Sequence, residues 1–390
     1  MTLMKASQER VSANLVTILY LCFLLVATVY KYYKPVYNWD SLPYMALLAS
    51  ADGASPEQAH QIAYSEARRT IPASTYRSFT DTNGVLSKRM AASAEDFHAL
   101  MPFYIIKPLY LGAAYILHKA SFSLARSVFL PSVISYCLIG LLLFYWIGKH
   151  VSKVFAAIIS ALLLMSAPLL EAASYAAADC LSALVLLAAF YFLLEKKSIT
   201  GMYIFLLLAV FARLDNIIVA FLLVVFGLFG KKLPVPISKS KGFMLVAGLV
   251  AAYFLTTSLV TIYGWNPFFL PAFFKQHYET FYREKTSSAI YDFVKQRHSA
   301  LMVAMLHYHL FIYLGFAVLL FLGNKTLRWK DLSFDQAFLT VLITTIGIRA
   351  VVYTDLSDRY FVGYSLVIVI LLVRRFKHGA IGDAHPVNIE

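Results

Sequence analysis

The chain has 390 residues, 60% of them hydrophobic and only 14% charged, with a mean hydropathy of +0.68. That balance excludes a water-soluble domain, whose core cannot absorb so much apolar surface. The formal net charge of +13 does not point to nucleic acid, because the basic residues are scattered over short connectors and form no patch interleaved with aromatics.

The sequence predicts an all-α polytopic bundle of about ten membrane spans, since many apolar runs have roughly the length of a helix through hydrocarbon. Residues 1–390 read as one integral membrane domain. The first run, 11–30, follows Lys5 and Arg10. It is too long for a secretory signal and no small-residue cleavage site follows it, so it reads as an uncleaved anchor. A long loop, 31–126, comes next. Within it 101–118 is apolar enough to span, but Pro102 and Pro108 interrupt it, and a crossing there would put Lys196, Lys197, Lys231 and Lys232 outside. This segment is therefore laid in the outer interface, where Tyr104, Tyr110 and Tyr115 suit the headgroup level. A kinked full span is the alternative.

Spans are expected at 127–147, 154–170 and 177–194, then as a short pair, 201–212 and 216–229, with Arg213-Leu214-Asp215 at its tip. Further spans follow at 243–263, 301–322, 334–353 and 360–373, with a second outer loop at 264–300. The connectors 148–153, 195–200, 230–242 and 323–333, with both tails, hold nearly all the clustered Lys and Arg outside the two long loops. Retention of such clusters on the cytoplasmic side puts both termini inside and both long loops outside. The segment 379–390, with Gly379, Gly382 and Pro386, reads as a flexible tail.

Cys22, Cys137 and Cys180 show neither disulfide nor metal-site spacing and read as small packing residues. His307 and His309 are two apart, a spacing that points side chains away from each other on a helix. Asn324-Lys325-Thr326 matches an N-glycosylation pattern but falls in a connector placed inside. No internal repeat of the kind that marks many secondary transporters is visible.

Ionisable residues at membrane depth are costly and are functional candidates by default. In this topology they share the outer side: Asp40 after the first helix, Glu171 and Asp179 around the next outward helix, Arg213 and Asp215 at the hairpin tip, and Arg349, Asp355, Asp358 and Arg359 around the last outer turn. They read either as ion pairs holding helix ends together or as the walls of a polar chamber. A chamber of this kind fits transfer from a lipid-linked donor to a polar acceptor, with Asp40 as general base and Lys107, Arg126, Arg213 and Arg359 as cations for a leaving phosphate.

At these residues the chain resembles the polytopic GT-C glycosyltransferases, the superfamily of protein O-mannosyltransferases and aminoarabinose transferases. The likeness consists of Tyr37-Asn38-Trp39-Asp40-Ser41, Lys107-Pro108-Leu109-Tyr110, Ala125-Arg126, Ala178-Asp179-Cys180-Leu181, Arg213-Leu214-Asp215-Asn216 and Asp358-Arg359-Tyr360, in order along the chain. The resemblance implies an extracytoplasmic transferase taking a sugar from a polyprenyl-phosphate carrier. The acceptor would be a hydroxyl of a glycan, lipid or protein. Asp40 would be catalytic, with Asp179 as a second carboxylate and Asp215 and Asp358 supporting. Many relatives carry two adjacent acids in the first loop, and the oligosaccharyltransferase type uses paired acids to hold a divalent metal. Here Ser41 follows Asp40, so no cofactor is expected and a divalent metal is not favoured, although Asp179 could supply a second carboxylate. No nucleic acid partner is expected either, and a bacterial inner membrane is the favoured compartment. The rival class is a transporter or flippase for a lipid-linked or organic substrate.

Overall fold

The structure, a computed structural model, describes residues 2–82, 85–229, 237–264, 309–322, 333–352 and 357–382. Among these residues the regular elements are helical, and an isolated parallel bridge joins Val36 to Tyr175. The second long loop after Gly264, His307 and Tyr308, Asn324-Lys325-Thr326 and Asp355 lie outside the described residues.

α1 (Thr2–Tyr33) contains the expected first span. Leu15, Ile18, Leu19, Leu25 and Val26 are exposed along it, an apolar surface compatible with lipid. The loop that follows is folded into short helices: α2 (Ser41–Ala51), α3 (Pro56–Thr70), α4 (Ala73–Arg77), α5 (Val85–Ala92), α6 (Ala94–His98), α7 (Pro102–Ile105) and α8 (Pro108–Lys119). They enclose a core of their own, with Leu42, Tyr44, Met45, Phe97 and Tyr110 packed beside Phe129 of the next helix. α3 opens on a full capping box between Ser55 and Gln58, which satisfies two amides that a helix start leaves without partners.

The bundle comprises α9 (Leu124–Ile147), α10 (Lys153–Leu164), α11 (Ala167–Ser174), α12 (Asp179–Leu194), α13 (Ile199–Ala212), α14 (Ile217–Phe229), α15 (Lys239–Ser258), α16 (Leu310–Leu322), α17 (Phe334–Val352) and α18 (Val362–Gly382). α12 is apolar nearly all round and sits at the centre, packed on α9, α13 and α18. Gly363 makes the last contact close: a Cβ there would meet the Leu186 Cβ at 3.3 Å.

Among the described residues three helical stretches, Ala13–Tyr33, Leu124–Ile147 and Lys239–Tyr263, are long and apolar enough to cross a membrane, and up to five crossings result if each of two bent pairs is one span. The bend in 154–170 departs from the straight run read in the sequence, the one in 101–118 falls in a segment already expected to be interrupted by prolines, and prolines account for both. Residues 154–170 break into α10 and α11, 59° apart, where Ser166 takes the N-cap position and Pro168 the first turn of a new helix. Residues 101–118 are broken at Lys107, because the ring of Pro108 pushes the preceding residue out of the helical region, here to φ −124°. The 109° bend between α6–α7 and α8 suits a segment lying along a surface better than one crossing in line.

Candidate functional site

The charged residues converge where helices begin or break. Asp40 occupies the N-cap position of α2 with φ −56° and ψ −23°, and its side chain makes no capping hydrogen bond. Freed from that role, the carboxylate is held by other donors. The Tyr104 hydroxyl donates to Oδ1 at 2.9 Å and Asn38 Nδ2 donates to Oδ2 at 2.9 Å.

Lys107, turned out of the helix by Pro108, donates from Nζ to the Tyr44 hydroxyl at 2.7 Å. The ammonium lies 5.0 Å from the Tyr104 ring centroid and 5.2 Å from that of Tyr44. Among the described residues no carboxylate lies within ion-pair distance of Lys107. Burial pushes its ammonium down to about 8; Asp40 and Asp179 pull it back up, while Arg213 and Arg359 push it further down. Those mutual influences put all five charged groups in one neighbourhood.

The other half of the cluster comes from the bundle. Asp179 opens α12, where the positive end of the helix dipole favours a carboxylate. It pairs with Arg213 Nη1 and lies 3.6 Å from Arg359 Nε. Arg213 ends α13 in extended backbone, followed by a 3₁₀ turn at Leu214–Asn216, and this turn lets one guanidinium reach Asp179 and, at 3.1 Å, Asp215. Arg349 from α17 completes the network at 2.5 Å from Asp215. Asp179, Asp215 and Arg349 are 5%, 7% and 2% exposed, so the network is interior. Tyr360 lies against three guanidiniums, 4.4 Å from Arg213, 4.8 Å from Arg359 and 5.4 Å from Arg349, and Tyr175 lies 5.0 Å from Arg359.

Of the residues singled out in the sequence, Asp40, Lys107, Asp179, Arg213, Asp215 and Arg359 are thus brought together. Arg126 is engaged elsewhere: it donates to the Tyr32 carbonyl at 2.5 Å and stacks on that ring, bracing the end of α1. Asp358 accepts from the His309 amide at 2.7 Å and contacts its ring nitrogen Nδ1 at 2.8 Å. Glu171 accepts from Ser357 at 3.4 Å. Sequence reasoning assigned no part in the site to Asn38, Tyr44, Tyr104, Tyr175 or Tyr360. The available signal was proximity: Asn38 and Tyr104 sit within one helical turn of Asp40 and Lys107 in the chain.

Among the described residues no group of three or more His, Cys, Asp and Glu side chains could hold a metal ion. Cys180, beside Asp179, is buried and unpaired. No known protein family, curated protein or solved structure matches the chain.

Proposed function

We propose that the chain is a membrane glycosyltransferase of GT-C type. It moves a sugar from a polyprenyl-phosphate donor to an acceptor hydroxyl on the extracytoplasmic face of a bundle of about ten spans, both termini cytoplasmic. One observation carries the reading. Asp40 and Lys107 adjoin, neither is satisfied by an opposite charge at ion-pair distance among the described residues, and a set of paired arginines borders them. A carboxylate restrained by two neutral donors can still accept a proton, and a covered ammonium without a counter-ion is suited to an anion.

In the reaction, the acceptor oxygen forms a bond to the anomeric carbon as that carbon's bond to the phosphate oxygen breaks. The acceptor proton passes to Asp40, and the electron pair leaves with the polyprenyl phosphate. Lys107 and the outer edges of Arg213 and Arg359 would stabilise the charge that collects there. Asp179 and Asp215 hold those arginines in place.

The bent α10–α11 pair favours a second reading, because broken helices also line the substrate sites of transporters. Purified protein incubated with a polyprenyl-phosphate sugar separates the two: a transferase consumes the lipid-linked sugar, a flippase only moves it between leaflets. Asp40→Asn is expected to slow transfer by about a hundred- to ten-thousandfold while donor binding and thermal stability stay near wild type. Transfer by this variant at close to the wild-type rate would overturn the assignment.

A further inference from the structure

We infer that Tyr104 is a positioning residue that joins the two working groups of the site, holding Asp40 with its hydroxyl and Lys107 with its ring. The inference rests on the transferase reading above. Tyr104 belongs to α7, a four-residue helix that starts at Pro102 and ends just before Lys107. Its position is therefore tied to the same proline break that turns Lys107 inward.

The ring is fixed on two sides. It meets Tyr44 edge-on at 5.1 Å and 87°, and Trp39 at 6.5 Å. From that seat the hydroxyl reaches Asp40 Oδ1 at 2.9 Å while the ring lies 5.0 Å from Lys107 Nζ. With Asn38 on Oδ2 at 2.9 Å, each carboxylate oxygen receives one neutral donor and keeps a lone pair for an incoming proton. The ammonium, attracted to the negative ring face, is kept beside the carboxylate without collapsing onto it. A direct Asp–Lys pair would use up both groups; Tyr104 spaces them so that both remain available to substrates.

Among the described residues, the charged and titratable groups influenced by Asp40 from the packed elements include Lys107, Tyr44, Tyr104, Tyr110 and Arg359. Of these, Tyr104 is the one within hydrogen-bond distance of its carboxylate.

Two variants separate the two roles. Tyr104→Phe keeps the ring and removes the hydroxyl. It is expected to lower kcat by about ten- to a hundredfold, the loss of one hydrogen bond to a charged group, with donor KM within about twofold of wild type. The acid limb of its pH–rate profile should move to higher pH, because a carboxylate stripped of a donor holds its proton more readily. Tyr104→Met removes the ring as well and should in addition raise donor KM several-fold.

A wild-type kcat and an unmoved acid limb in the Phe variant would overturn the inference, as would identical donor KM values for a folded Met variant and the Phe variant. If the Met variant does not fold, the Phe variant decides through its pH profile, which a purely structural role would not shift. The outcomes are distinguishable from failure of the transferase reading: an active Asp40→Asn defeats that reading, whereas an inactive Asp40→Asn with a wild-type Tyr104→Phe defeats only this inference.

Discussion

Two lysines in this molecule have nearly the same contacts and opposite electrostatics. Lys107 donates to the Tyr44 hydroxyl and lies 5.0 and 5.2 Å from two tyrosine rings. Lys149, in the connector between α9 and α10, donates to the Tyr191 hydroxyl and lies 4.9 and 5.1 Å from the rings of Tyr145 and Tyr191. Yet the Lys149 ammonium is held above its ordinary range by that hydroxyl, while burial drives Lys107 below its own. Similar hydroxyl and ring contacts thus go with different electrostatics when burial and the surrounding charges differ.

The carboxylates beside the two lysines differ in the same sense. Near Lys149, Glu195 has Arg374 at 3.2 Å, His150 Nε2 at 3.0 Å and an indole donor from Trp146 at 2.9 Å. Near Lys107, among the described residues, the Asp40 carboxylate has a phenol and an amide as its side-chain donors. The Glu195 cluster is closed on itself and ties helix ends together; the Asp40 end keeps its charges available. Asp179 and Glu195 stand at opposite ends of α12, whose 16 residues span about 24 Å.

The largest effect should come from the frame around the Lys107 end. Asp215→Asn leaves Arg213 and Arg349 facing each other without their shared carboxylate, an interior charge imbalance worth about 3–5 kcal/mol. Denaturation in detergent should show a large loss of stability, and an unchanged midpoint would mean that the network is not a support.

The lysine comparison itself is broken or sharpened by Lys107→Gln and Lys149→Gln. The first should weaken binding of a polyprenyl-phosphate analogue by about tenfold or more, and the second should leave it unchanged. If Lys107 holds the phosphate as proposed, its ammonium is the binding form, and affinity should fall as pH rises through about 8. That limb should vanish in Lys107→Gln, and equal losses in the two variants would erase the distinction drawn between them.

The smallest effect is expected at Glu195. Burial raises its carboxyl, but the hydrogen bonds from His150 and Trp146 and the charge of Arg374 prevail and hold it down to about 2, against an ordinary 4.5. A depressed acid contributes stability above its unfolded value and loses it as pH falls toward the folded one. Glu195→Gln should cost about 1 kcal/mol near neutrality, allowing for solvent screening. The gap from wild type should close between pH 4.5 and 2, with transfer activity unaffected. A gap that stayed constant over that interval would mean that the Glu195 charge does not help tie those helix ends together.

Much of the charged end was legible because ions are rare in apolar sequence: Asp179, Arg213, Asp215 and Arg359 stand out against their runs. The partners were less so. Arg126 precedes a span just as a phosphate ligand would, but the last turn of α1 leaves carbonyls unpaired, and Tyr32 takes the guanidinium. Asp358 goes to His309 because its turn brings it to the start of α16, a contact between segments 49 residues apart that no local pattern announces. Tyr104 was hidden by abundance, one of 26 tyrosines, and its nearness to Lys107 in the chain does not announce a bond to Asp40 64 residues away. The break in 154–170 was written in Ser166 and Pro168, but the apolar count of the run outweighed those two signals.

The sequence distances within the site also set an order of assembly during synthesis. Tyr104 reaches back 64 residues to Asp40 and Lys107 reaches back 63 to Tyr44, so this half can close while most of the bundle is still unmade. Arg213 then reaches back 34 residues to Asp179. The Ser357–Glu171 contact closes a loop of 186 residues and must wait for the last helices, as must Arg349 and Arg359. Asp40 and Lys107 can therefore be in place before Arg349 and Arg359 join the cluster, and the nascent chain carries half of the network until its final turn is made.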